Sequence, residues 1–96
     1  MEFEFSAKVW EWRGPAPYHF LSVPDWACEQ IALLAKAVTY GWGMIPVEAR
    51  IGATTWTTAM FAKDGGYVLP LKDAVRRPED ITVGDLVDVT LSIRGV

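Results

Sequence analysis

The fold of this chain is decided by residues 2–23, which read EFEFSAKVWEWRGPAPYHFLSV. The apolar side chains of Phe3, Phe5, Ala7 and Val9 alternate with glutamate, serine and lysine. Because side chains alternate between the two faces of a strand, this pattern predicts a half-buried β-strand over residues 2–13. The glycine and prolines of residues 14–17 predict a turn, and residues 18–23 predict the returning strand of a hairpin.

Two tryptophans interrupt this alternation, because Trp10 and Trp12 occupy the positions of the polar face. Two explanations are open. Either a β-bulge reverses the strand at this point, or another element covers the outer face.

A single helix is predicted to follow the hairpin, opened by Pro24 and Asp25 and about 14 residues long. Asp25 and Glu29 place negative charge near the positive end of the helix dipole, and Gly41 is a natural terminator. The apolar stripe comprises Ala27, Cys28, Ile31, Leu34, Ala35 and Val38, widened by Leu33. Its three- and four-residue spacing indicates a helix that packs one face against a core.

The second half of the chain predicts four strands, over residues 47–51, 54–63, 67–69 and 86–93. Residues 64–66 predict a hairpin turn, and residues 73–77 predict one helical turn that ends at Pro78. Pro70 cannot donate a ladder hydrogen bond, so its strand is expected at an edge or with a bulge.

The predicted fold is therefore mainly β, in one domain over residues 1–96. Six short strands suggest a small closed or partly open barrel, with the helix after the second strand and the helical turn before the last. Closure suits so short a chain because it removes free strand edges.

Composition excludes several classes of protein. Nine basic and twelve acidic residues give a net charge of −3, which disfavours nucleic acid as a partner. One cysteine and one histidine provide neither a disulfide framework nor a zinc site built from these residues. The sequence contains no apolar run long enough for a membrane span, and its acidic start is unlike a secretory signal. We therefore expect a cytoplasmic protein with no membrane partner, no cofactor and no metal.

A family resemblance is carried by an ordered set of segments. They are WEWRGPAPYHF at residues 10–20, IGATTW at 51–56, GYVLPLK at 66–72, AVRR at 74–77 and VGDLV at 83–87. Over roughly residues 3–94 the chain resembles the mostly bacterial family called domain of unknown function nineteen hundred and five. The resemblance implies a barrel of the double-split type, a fold class shared with swapped-hairpin transcription regulators. By the same resemblance, related domains sometimes occur fused to bacteriocin-protection (YdeI/OmpD-associated) modules.

The resemblance implies no agreed activity, and therefore no catalytic residue. Family members often carry a basic residue followed by Thr-Ser after the aromatic at position 56. Here Thr57, Thr58 and Ala59 stand in those places, so no anion-binding role is expected at position 57.

The candidate binding residues are mostly aromatic, because tryptophan is several-fold enriched in this chain. Trp10, Trp12, Tyr18 and Trp56 are the aromatic candidates for a binding platform. The alternative interpretation is that the tryptophans fill the core of a small domain. A role as a homodimer surface is also open, so we expect a monomer or a weak homodimer.

Polar candidates are fewer. His19 is expected to be structural, although it could act as a base or a proton switch, and Cys28 is expected to be an inert core thiol. Lys72, Arg76 and Arg77 form a basic cluster that suits an acidic ligand, unless neighbouring carboxylates neutralise it.

These residues favour a non-catalytic module that binds a small molecule or a protein. A nucleic-acid-binding regulator is the alternative, by analogy of fold alone. A small-molecule enzyme is the third possibility, disfavoured because no catalytic arrangement is recognisable in the sequence.

Overall fold

The computed structural model describes residues 2–14, 18–38 and 44–94. Its elements are β1 (Glu2–Trp12), β2 (Tyr18–Ser22), α1 (Asp25–Val38), β3 (Ile45–Ile51), β4 (Thr54–Lys63), β5 (Gly66–Leu71), α2 (Asp73–Arg76) and β6 (Leu86–Ile93). Each predicted element is present in the described part of the chain. The turn at residues 15–17, Gly41 and the side chains of Ala35 and Val38 lie outside it.

The six described strands form a closed antiparallel barrel in the order β1-β2-β5-β4-β3-β6. The barrel prediction is therefore confirmed, in its closed form. Closure depends on the two longest strands, β1 and β4. Each of them pairs with one strand along its first part and with another strand along its last part. β1 pairs with β6 over residues 2–8 and with β2 over residues 9–12. β4 pairs with β3 over residues 54–60 and with β5 over residues 61–63.

No bulge reverses β1, because its Cα partners follow one another without an inserted residue from Glu2 to Trp12. Val9 and its partner Leu21 face the core, so the next pair, Trp10 and Phe20, faces outwards. The first explanation for the interrupted alternation is thus wrong. Aromatic side chains on neighbouring strands, described below, cover this outer face.

The barrel interior is filled mainly by aliphatic side chains. The largest fully buried ones are Leu21, Ile31, Ile45, Met60, Leu69, Leu91, Val9 and Val47. α1 contributes Ala27 and Ile31 to this core. Leu33, however, is 83% exposed, so the prediction that it widens the apolar stripe is wrong. Leu33 is two residues after the buried Ile31, so it lies about 200° further around the helix, on the solvent side.

Of the four tryptophans that the structure describes, the interpretation as core residues is wrong for two. Trp12 is 44% exposed and Trp26 is 49% exposed. A narrow six-stranded barrel is filled by its inward-facing aliphatic residues and has little room for indole rings.

Pro70 occupies a locally unpaired position. β5 lies between β2 and β4 and is not an edge strand, but its pairing with β4 ends at Val68. At Pro70 only β2 is a strand partner among the described residues, through Phe20. A proline is tolerated here because one side of the strand carries no ladder.

Candidate functional site

Five aromatic residues form what we call the outer aromatic face of the barrel: Trp10, Trp12, Tyr18, Phe20 and Phe61. The register of β1, β2, β5 and β4 places them together. Trp12 lies directly opposite Tyr18, with ring centroids 6.4 Å apart. Trp10 lies directly opposite Phe20, at 5.0 Å.

Phe20 is the centre of this face. Its ring lies 6.2 Å from Tyr18 and 5.6 Å from Phe61, in an edge-to-face arrangement with Phe61. It is buried although it is not part of the core cluster inside the barrel. The Trp10 indole Nε1–H donates a 3.0 Å hydrogen bond to the Ser22 hydroxyl and so fixes that ring. The two rings that remain widely exposed, Trp12 and Tyr18, therefore rest on an ordered aromatic layer.

Gly14 allows the Trp12 ring to take its position. A Cβ at residue 14 would lie 2.0 Å from Cη2 and Cζ3 of Trp12, far inside contact distance. The ring therefore lies directly over the glycine, at the end of β1.

We expect Gly14→Ala to displace the Trp12 ring while leaving the barrel folded, because the clash involves only an exposed side chain. In a ¹H–¹⁵N spectrum the indole signal of Trp12 should shift and that of Trp26 should not. A Trp12 signal unchanged by the substitution would contradict this geometry.

Trp56 does not belong to the outer aromatic face. It pairs with Ala49, which is a core residue, and its half-buried ring packs against the core cluster. Its Nε1–H is buried without a hydrogen-bond partner among the described residues. The predicted grouping of Trp56 with Trp10, Trp12 and Tyr18 is therefore not what the structure shows.

His19 lies beside Tyr18 in the wall of a cleft. Its Nε2 is 3.5 Å from Glu11 Oε2, and its side chain is mostly buried. Glu11 also lies 3.7 Å from Nε of Arg13. His19 is thus held by a neighbouring strand, as expected of a structural histidine.

The predicted basic cluster divides into two parts. Arg76 and Arg77 both form ion pairs with the single carboxylate of Asp73 on α2, which offsets one of their two positive charges. Lys72 is exposed and makes no ion pair with any residue that the structure describes.

Two open clefts meet at Lys72. One, of about 490 Å³, is lined by Tyr18, His19, Pro70 and Lys72, among others. The second, of about 450 Å³, continues from Pro70 and Lys72 over Phe61 to Arg94. The two clefts adjoin at Pro70 and Lys72 along one side of the outer aromatic face, and we call them together the groove.

Sequence reasoning missed Phe20, Phe61 and Arg94. Phe61 follows the buried Met60 on β4, so alternation places it outside the barrel. Its proximity to Phe20 depends on the pairing of β4 with β5 and of β5 with β2, which no local pattern encodes.

Other chemistry-bearing groups give no second site. The thiol of Cys28 is buried and donates a 3.3 Å hydrogen bond to the Val23 carbonyl, as expected of a core thiol. Within the described ranges, no cluster of three or more His, Cys, Asp or Glu is placed to hold a metal ion. Of the helices that the structure describes, none has the length and apolar character needed to cross a membrane.

Fold and surface together define a small closed β-barrel with an aromatic outer face and an adjoining groove. The chain belongs to the family described as Domain of unknown function (DUF1905), which it matches over residues 5–91. This confirms the resemblance found in the sequence. Among curated proteins, none matches the chain.

Proposed function

We propose that this domain is a non-catalytic binding module whose outer aromatic face binds a polypeptide segment of another protein. The observation that carries the proposal is the pair formed by Trp12 and Tyr18. They are 44% and 56% exposed and lie directly opposite each other on adjacent strands. Tryptophan and tyrosine are the residues most enriched at the energetic centres of protein interfaces.

Ordering of the face before binding supports the same function. Phe20 contacts three other rings of the face, and the Trp10 indole is hydrogen-bonded to Ser22. A surface that is already ordered loses less side-chain entropy when a partner binds.

The shape of the adjoining groove favours a polypeptide over a small molecule. Small-molecule sites enclose most of the ligand surface in a concave pocket. Here the two clefts are open, and they extend across several strands. An extended chain fits this surface better than a compact ligand.

The test compares Trp12→Ala/Tyr18→Ala with wild type in panning of random-sequence peptides displayed on phage. Peptides enriched on wild type should bind the double variant about 30-fold or more weakly, the effect of losing about 2 kcal/mol at an interface centre. Affinity is measured by fluorescence anisotropy with synthetic copies of the enriched peptides. Thermal unfolding should change little, because both side chains are surface groups.

Trp26→Ala/Leu33→Ala is the matched control, because it removes two exposed apolar side chains from α1. It should bind the peptides as tightly as wild type. Equal binding by all three proteins, or failure of wild type to enrich any peptide, would refute the proposed function.

A further inference from the structure

We infer that the bound polypeptide is acidic, and that it runs along the groove from Tyr18 past Lys72 to Arg94. This inference rests on the proposed function and specifies the chemistry of its ligand. Three features carry it: the path of the groove, the unpaired cations along it, and the location of the acidic residues of the protein.

The groove runs from Lys72, which follows β5, to Arg94, which follows β6. His19 pairs with Leu71, so the next position, Lys72, lies beside Tyr18, and the two line the same cleft. Arg94 lies at the far side of the second cleft, where its N–H donates a 3.0 Å hydrogen bond to the Pro46 carbonyl. β4 and β3 lie between the two cations in the strand order.

The cations of the groove are not neutralised by any residue that the structure describes. Neither Lys72 nor Arg94 forms an ion pair within the described part of the chain. None of the described residues that line the second cleft is acidic. Asp73 lines the first cleft but already pairs with two arginines of its own segment. The groove is therefore locally positive in a protein whose net charge is −3.

Four of the twelve acidic residues lie on a different surface, the outer face of β1, β6 and β3, which also carries Lys8 and Arg50. The register places Glu2, Glu4, Glu48 and Asp88 there. An acidic segment is repelled from that surface and attracted to the groove, so complementary charge directs it to one side of the barrel.

Between the two cations the groove is lined by the apolar residues Pro46, Ala59, Phe61 and Pro70, with Met44 and the uncharged Thr57 and Thr58 beside them. Pairing of β5 with β4 ends at Val68, before Pro70 and Lys72, so an unpaired gap as well as β4 and β3 lies between the two cations. The expected ligand thus carries two carboxylates separated by an apolar or aromatic stretch.

Panning the same random-peptide pool on Lys72→Glu/Arg94→Glu tests the inference. Wild type should enrich peptides with paired Asp or Glu around apolar residues, and the double variant should lose that preference. A synthetic peptide enriched on wild type should bind the variant about tenfold or more weakly. Its counterpart with every Glu changed to Gln and every Asp to Asn should bind wild type weakly, with little difference between the two proteins.

Arg50→Glu/Lys63→Glu is the matched control, because it makes the same change in net charge at exposed cations that do not line the groove. It should retain the acidic preference. Peptides that depend on Trp12 and Tyr18 but show no acidic preference, or whose preference survives in Lys72→Glu/Arg94→Glu, would overturn the inference and leave the proposed function standing. A concentration-dependent dimer that Lys72→Glu/Arg94→Glu abolishes would assign the groove to a second copy of this chain instead.

Discussion

Leu91→Ala is expected to lower the free energy of unfolding by about 3 kcal/mol, within the usual cost of emptying a buried leucine site. Leu91 is 0% exposed and lies at the centre of β6, paired with Phe3 on β1 and with Ala49 on β3. Both partners are core residues held by their own strands. The surrounding backbone belongs to a closed barrel, so we expect it to relax only partly into the cavity.

Thermal and urea unfolding measure this effect. The melting temperature should fall by roughly 10–20 °C for a domain of this size. Leu86→Ala is the control on the same strand, because Leu86 is 66% exposed and should cost little. Similar losses for the two variants would mean that β6 does not face the core in the register described above.

Gly52→Ala is expected to have a comparable effect for a different reason. Gly52 has a φ of +57°, a conformation that costs a residue with a Cβ about 1–2 kcal/mol. Its Cβ would also lie 2.1 Å from Oε1 of Glu79, whose other oxygen accepts a 2.7 Å hydrogen bond from the Thr54 hydroxyl. Displacing Glu79 would break that charge-assisted bond, so the total loss should reach about 2–4 kcal/mol.

Two comparisons separate the backbone and contact contributions to the Gly52→Ala effect. Gly65 also has a positive φ, but a Cβ there meets nothing within 4 Å, so Gly65→Ala should show only the backbone cost. In a Glu79→Ala background, Gly52→Ala should likewise show only that cost. Urea unfolding of wild type, Gly52→Ala, Glu79→Ala and the double variant gives the coupling free energy directly. A coupling of zero would contradict the contact between the β3–β4 turn and Glu79.

Much of the fold could be predicted because its signals are local. Alternation in residues 2–9 predicts β1, and the three- and four-residue spacing beginning at Ala27 predicts α1. Both elements are present in the structure. The prediction that Leu33 belongs to the buried stripe of α1 is wrong because apolar character alone does not place a residue on the buried face of a helix. Pro70 is predicted at an edge or a bulge because it cannot donate a ladder hydrogen bond. The sequence does not reveal that β5 is a middle strand whose pairing with β4 ends at Val68.

The candidate site was only partly predictable. Trp10 and Trp12 stand out in the sequence because they occupy positions where alternation calls for polar residues. Trp56 looked equivalent but faces the core, since it lies opposite Ala49. The sequence leaves open whether neighbouring carboxylates neutralise the basic cluster; in the structure Asp73 alone pairs with both arginines, and Lys72 is unpaired among the described residues.

By itself, the sequence determined the strands, the helices and their order. It also indicated a barrel, because a closed sheet leaves none of the short strands with a free edge. These follow from spacing between residues close in the chain, which fixes the face each side chain occupies. Only the tertiary structure decided that Phe20 meets Phe61 and that Lys72 shares a groove with Arg94. Such proximities depend on which strands pair and in what register, and pairing is settled by packing of the whole barrel.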